Sequence, residues 1–201
     1  MNDDKTGGKF ARIRAVTVFL GAQSAANSVF DDAVTAFARF LTAHDMTLVY
    51  GGSNVGTMKL LADTVLAAGG RVVGVFTSSL PSEIAHPGLT ELVVAPSLAE
   101  RKRILIERGD AIVALPGALG TLDELSDALA RRRMKSGGHR KPVGVLNVDG
   151  YYDHLLAFIE HARETGFASR GAAQILQSGR TPEELFKRIA GNLPPPNPRN
   201  G

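Results

Sequence analysis

Two adjacent carboxylates, Asp123 and Glu124, follow a glycine-rich turn in the segment Ala111-Ile-Val-Ala-Leu-Pro-Gly-Ala-Leu-Gly-Thr-Leu-Asp-Glu124. The residue types run from an apolar strand through a turn into a helix. Backbone N–H groups of Gly117, Ala118, Gly120 and Thr121, together with the positive end of the helix dipole, make a site for a phosphate. A carboxylate on the first turn of that helix lies within reach of whatever the phosphate is attached to, where it can act as acid, base or counter-charge. The same residues also have a purely structural reading, because Thr121-Leu-Asp-Glu124 fits a capping box with Thr121 as N-cap and Glu124 at N3.

The elements that must position this turn follow from the hydrophobic periodicity. Short apolar runs at Ala15 to Leu20, Thr47 to Tyr50, Val72 to Phe76, Ala111 to Leu115 and Val143 to Asn147 read as buried strands. Helix-period segments lie at Val29 to Ala43, Thr57 to Ala68, Leu98 to Arg108, Leu122 to Lys135, Tyr151 to Glu164 and Pro182 to Ala190. Strand and helix in alternation predict an α/β fold, a Rossmann-like doubly wound parallel sheet with helices on both faces. Ligands of such sheets bind outside the carboxyl ends of the strands. Three small-residue loops suit that edge: Gly21 to Ser24, Gly51 to Gly56 and Pro116 to Thr121. The second is not a Walker loop, since Thr57 stands where the lysine would be, and its glycine spacing is not that of a dinucleotide fingerprint.

At 201 residues, 44% hydrophobic and 21% charged, the chain has the size and composition of one buried domain. Residues 13–192 are expected to form it, with residues 1–12 and the proline-rich residues 193–201 disordered. The sequence contains no run long enough for a membrane span and no signal-peptide pattern, so a soluble, cytoplasmic protein is expected. A net charge of +3 suits a small anionic ligand and argues against nucleic acid as a partner. With no cysteine, and five histidines in no ligand-spaced cluster, no metal site is expected.

The motifs taken in order are Leu48-Val-Tyr-Gly-Gly52, Leu89-Thr-Glu91, Glu100-Arg-Lys102, Pro116-Gly-Ala-Leu-Gly-Thr-Leu-Asp-Glu124, Lys141-Pro-Val-Gly144, Leu146-Asn-Val-Asp-Gly-Tyr-Tyr-Asp153 and Glu164-Thr-Gly-Phe167. In this order and spacing the chain resembles the Lonely Guy (LOG) family, the cytokinin riboside 5′-monophosphate phosphoribohydrolases formerly labelled "lysine decarboxylase". The resemblance implies hydrolysis of the N-glycosidic bond of a nucleoside 5′-monophosphate, AMP or an N6-modified AMP, in a homodimer without metal or organic cofactor. It implies Arg101 and Glu124 as the catalytic pair and Gly117, Gly120 and Thr121 as phosphate holders. Glu83, Lys102 and Asp123 match substrate-contact positions, and Ala118, Gly51 and Gly52 fall within the binding loops. The alternative is a catalytically silent nucleotide-binding sensor or carrier of the same fold.

That alternative draws on four departures from the family pattern. Ala118 replaces the second glycine of the turn, which costs about 1–2 kcal/mol if the position needs a positive φ. Ser53, Thr57 and Lys59 alter the second loop. Leu98-Ala99 stands where Met-His is usual, and Ala130-Arg-Arg-Arg-Met-Lys-Ser-Gly-Gly138 replaces a W-A-Q-L-G segment. Arg131 to Arg133 also read simply as the cationic last turn of a helix. Lys59 and Lys141 offer nothing resembling a pyridoxal phosphate site, so decarboxylation is not expected.

Overall fold

The computed structural model describes residues 10–23, 27–132, 134, 139–169, 171 and 175–193. Among them the strands are β1 (Ala15–Phe19), β2 (Thr47–Tyr50), β3 (Val72–Thr77), β4 (Glu91–Ala95), β5 (Ala111–Ala114), β6 (Val143–Leu146) and β7 (Leu176–Gly179). The helices are α1 (Ser28–Ala43), α2 (Gly56–Ala67), α3 (Leu98–Arg108), α4 (Leu119–Arg132), α5 (Asp153–Glu164) and α6 (Pro182–Gly191). The strands form one sheet in the order β4-β3-β2-β1-β5-β6-β7, every pair parallel. The expected fold class is therefore the observed one. From β1 the chain winds outward through β2, β3 and β4, then returns to place β5 on the other side of β1. The carboxyl ends of β1 and β5 thus flank the switch point at which such sheets hold ligands.

The five strands with continuous apolar runs are central and buried, whereas β4 and β7 escape a hydrophobicity-based reading. β4 alternates half-exposed and exposed residues, and β7 is Leu-Gln-Ser-Gly. Both are edge strands held by pairing to one neighbour, so neither needs two apolar faces. Two apolar layers cover the sheet. One joins Phe37, Leu41, Leu61, Val65, Phe186 and Ile189 from α1, α2 and α6; the other gathers Leu105, Ile106, Leu125 and Ala128 from α3 and α4 against Ile112 and Val145. Phe10, within the segment expected to be loose, is buried and stacks near Phe40 and Phe186 with ring centroids 5.8 Å away in both cases. Residues 1–9 and 194–201, which carry the rest of the expected disordered ends, lie outside the described residues.

Candidate active site

α4 begins three residues earlier, at Leu119, than a capping box at Thr121 requires. The N–H of Leu122 donates to the carbonyl of Ala118 at 3.1 Å, so Thr121 is already helical and Glu124 sits past the first turn. The capping-box reading is thereby overturned: Glu124 turns inward, and its carboxylate bonds to Arg101. The helix start leaves a row of unspent donors. Among the described residues, none of the N–H groups of Gly117, Ala118, Leu119, Gly120 and Thr121 has a protein acceptor, which is the requirement for an anion site at a helix N-terminus. The turn is held against the loop after β1, with the Gly21 N–H donating to the Pro116 carbonyl at 3.2 Å. Gly117 is obligatory there, since a Cβ would stand 2.1 Å from Thr121 Oγ1 and 2.6 Å from the Gly21 nitrogen. Ala118, by contrast, has no positive φ, so the strain expected of an alanine in that position is absent.

Beside the turn lies a cavity of about 490 Å³. Arg101, Gly117, Ala118, Gly120, Thr121 and Glu124 all line it, together with residues to which sequence reasoning gave no role: Phe30 and Val34 from α1, Met58 from α2, and Tyr151 ahead of α5. Phe30, Val34 and Met58 supply an apolar wall, as expected of a site for a planar organic group carrying an anion, while Tyr151 stands against the turn with its hydroxyl on the Gly117 carbonyl. Tyr151 was part of a quoted motif, which was the available signal; nothing local marked Phe30, Val34 or Met58 as anything but core.

Arg101 reaches this cavity from the first turn of α3, where its charge opposes the helix dipole. Its guanidinium is fixed by three acceptors: Nε donates to the Val75 carbonyl at 2.8 Å, Nη1 to Glu124 Oε1 at 3.0 Å and Nη2 to the Gly51 carbonyl at 3.3 Å. Two of its five donors remain for a ligand. The pair is largely buried, with side-chain exposures of 11% for Arg101 and 15% for Glu124. Burial pushes the Glu124 carboxyl above the ordinary carboxylate range; Arg101 pulls it back, and nearby Asp123 adds to the rise. A carboxyl so placed is poised for proton transfer or for meeting a positive charge.

Other expected contacts act at one remove or stand outside. Gly51 does not line the cavity but makes room for Arg101, whose Nη2 would lie 2.2 Å from a Cβ there. Gly52, at φ +75°, turns the chain against Gly74 of β3. Lys102 and Asp123 pair with each other at 3.0 Å on the surface, outside the cavity. Glu83 is exposed in a single 3₁₀ turn (Ser82–Ile84) and does not line the cavity either. That turn is laced to the Gly52 loop through Asn54 N–H to the Ile84 carbonyl at 2.7 Å and His86 N–H to the Gly52 carbonyl at 2.9 Å.

Several of the departures from the family pattern find structural partners. Thr57 lines the cavity and donates to the Gly21 carbonyl at 2.6 Å, tying α2 to the loop after β1. Lys59 pairs with Asp63 one turn along α2. Arg131 pairs with Asp127, and Arg132 donates to the Ile175 carbonyl at 3.2 Å, so these two arginines serve the helix end; Arg133 lies outside the described residues. Lys141 caps α3, donating to the carbonyls of Ile106 at 2.8 Å and Glu107 at 2.5 Å. Among the described residues no group of three acidic, histidine or cysteine side chains gathers to hold a metal, and no helix is long and apolar enough to cross a membrane.

A doubly wound parallel sheet with an N–H-rich helix start and a buried arginine–carboxylate pair at its switch point defines a Rossmann-like α/β protein with a candidate anion site at that edge. Sequence relationships narrow that class. The family model described as "Possible lysine decarboxylase" matches residues 58–189. A probable cytokinin riboside 5′-monophosphate phosphoribohydrolase of Oryza sativa subsp. japonica, LOGL2, is 39% identical over 180 residues, 89% of this chain and 73% of that protein. The Arabidopsis thaliana cytokinin riboside 5′-monophosphate phosphoribohydrolase LOG4 is 38% identical over 94% of this chain and 86% of its own length. The chain belongs to the LOG family. Its fold is shared more widely: the molybdenum cofactor binding protein of Rippkaea orientalis superposes with a TM-score of 0.66 at 21% identity, covering 88% of this chain and 95% of that one. The Moco carrier protein of Chlamydomonas reinhardtii gives 0.64 at 16% identity, covering 89% and 96%.

Proposed function

We propose that the protein is a nucleoside 5′-monophosphate phosphoribohydrolase, adding water across the N-glycosidic bond to give a free base and ribose 5-phosphate, with AMP or an N6-modified AMP as substrate. The observation that carries this reading is that the buried Arg101–Glu124 pair opens into the same cavity as the unspent N–H groups of Gly117 to Thr121. Cleavage builds oxocarbenium-like positive charge on the ribose and negative charge on the departing base. The Glu124 carboxylate meets the cation or takes a proton from the attacking water. Arg101 orients Glu124 and offers its two remaining donors to a ribose hydroxyl or the phosphate. The phosphate does not react; held on the α4 start, it fixes the glycosidic carbon against Glu124. The wall of Phe30, Val34 and Met58 faces the base.

A homodimer belongs to the same proposal. The apolar residues of α2 are consumed by the core, but Leu92 and Val94 of β4 and Leu98 of α3 are 46%, 58% and 55% exposed, a surface suited to a second copy. The decisive experiment is incubation with AMP and with N6-modified AMP, following free base and ribose 5-phosphate by chromatography. Nucleotide binding without base release would select the sensor or carrier reading instead.

A further inference from the structure

The turn after β6 is built to present two tyrosines to the loop between β5 and α4. Asp149 and Gly150 take left-handed conformations at φ +48° and +72°, a cost for the aspartate that persists only where the surroundings enforce it. Asn147, 7% exposed, locks the turn from within: its Oδ1 accepts the Tyr152 N–H at 2.8 Å and its Nδ2 donates to Asp153 Oδ1 at 2.7 Å. The outcome is a pair of staples on neighbouring carbonyls. The Tyr152 hydroxyl donates to the Leu115 carbonyl at 2.7 Å, and the Tyr151 hydroxyl to the Gly117 carbonyl at 2.8 Å.

These two bonds differ in what they aim. In a trans peptide the C=O of one residue and the N–H of the next point in opposite directions, and the described chain has no cis peptide. The Leu115 carbonyl shares its peptide with Pro116, which has no N–H, so the Tyr152 bond orients no donor. The Gly117 carbonyl shares its peptide with Ala118, whose N–H has no protein acceptor among the described residues. We propose that Tyr151 is a positioning residue for phosphate binding, holding the Gly117–Ala118 peptide so that the Ala118 N–H faces the phosphate. The inference rests on the nucleotide-site reading above. Phe30, edge-on to Tyr151 at 5.7 Å, holds the phenol ring in place. Ala118 has no positive φ, so an alanine at this position is compatible with that orientation.

The test compares wild type, Tyr151→Phe and Tyr152→Phe in AMP binding by calorimetry, in kcat and KM on AMP, and in thermal unfolding. Tyr151→Phe is expected to weaken AMP binding and raise KM about tenfold with kcat nearly unchanged, the scale of one charge-assisted hydrogen bond misaligned. Tyr152→Phe is expected to lower the unfolding temperature while leaving AMP affinity within about twofold, since its bond aims no donor. In spectra of the amide groups, the Ala118 N–H should shift downfield on AMP binding in wild type and far less in Tyr151→Phe. Wild-type affinity in Tyr151→Phe, or an equal loss of affinity in both variants, overturns the proposal. If wild type binds AMP without releasing base, the hydrolase reading fails, yet the Tyr151 comparison still runs on binding alone; if wild type binds no AMP, both fall.

Discussion

The same substitution made three residues apart in the turn between β5 and α4 should have opposite effects. In Gly117→Ala the new methyl would stand 2.1 Å from Thr121 Oγ1, 2.8 Å from Thr121 Cβ and 2.6 Å from the backbone nitrogen of Gly21. Thr121 is 3% exposed and β-branched, so it has no free rotamer into which to withdraw. The other obstacle is backbone. Overpacking of this kind costs about 1–3 kcal/mol, which for a domain of this size lowers the unfolding temperature by roughly 2–12 °C. Relief requires the loops after β1 and β5 to part, and that breaks the Gly21 N–H to Pro116 carbonyl bond now at 3.2 Å. With the turn displaced, at least one N–H misses the anion; one charge-assisted bond of about 1.5–3 kcal/mol corresponds to a ten- to hundredfold loss of affinity for ribose 5-phosphate. In Gly120→Ala the methyl meets nothing within 4 Å, and the position is helical with no positive φ. Exchanging a helical glycine for alanine then gains up to about 1 kcal/mol, a rise of roughly 2–4 °C. Thermal unfolding and calorimetric titration with ribose 5-phosphate measure both effects. A Gly117→Ala protein that unfolds and binds like wild type, or a Gly120→Ala protein destabilised as much as Gly117→Ala, would refute the packing account of the turn.

Glu124→Gln should reduce base release by about 10²–10⁴-fold while the unfolding temperature at pH 7 holds or rises. Burial holds the Glu124 pKa above its ordinary value, so its stability contribution is present at low pH and lost as pH rises through the folded pKa; turnover unchanged in this variant would leave Glu124 a structural residue. Because the working form is the carboxylate, the acid limb of kcat should lie above the usual carboxylate range, which a pH–rate profile reads directly. Ala118→Gly should bring no tenfold gain in nucleotide affinity, since Ala118 carries no positive φ to relieve; a larger gain in titration would locate an obstruction at its methyl group. His139 donates to the Ala128 carbonyl at 3.0 Å and accepts the Lys141 N–H at 3.2 Å, and burial followed by the nearby Lys141, Arg132 and Arg131 charges lowers its pKa. The folded state therefore favours the neutral ring, and this contribution, present above the ordinary histidine pKa of about 6.5, is lost as pH falls through the folded value. His139→Gln should flatten that part of the stability profile, and an unchanged slope between pH 7 and 5 would contradict the assignment. Sedimentation at micromolar concentration should give a dimer, and a monomer there would remove the second-copy reading of Leu92, Val94 and Leu98.

The sequence by itself determined which segments are central strands, which are helices, and where a glycine-rich turn lies beside a carboxylate. Those properties are local: apolar runs at Val72 to Phe76 or Ala111 to Leu115 need only their neighbours to specify burial, and Gly117 to Glu124 carries its glycines and its acid within one turn of chain. The family resemblance implied Arg101 and Glu124 as a pair, and the two are joined at 3.0 Å. Local pattern also misled where it was ambiguous, reading Thr121 as a cap because the capping letters match and leaving β4 and β7 unseen because edge strands bury so little. Tertiary structure alone decided that Lys102 pairs with Asp123 outside the cavity, that Gly51 must be glycine for the sake of a guanidinium fifty residues away, and that Phe30, Met58 and Tyr151 line one cavity. Such juxtapositions depend on sheet order. Only when β5 returns to lie beside β1 do the loops after those strands touch at Gly21 and Gly117, and hydrophobic periodicity, which records the face a residue buries, carries no information about the partner it will meet there.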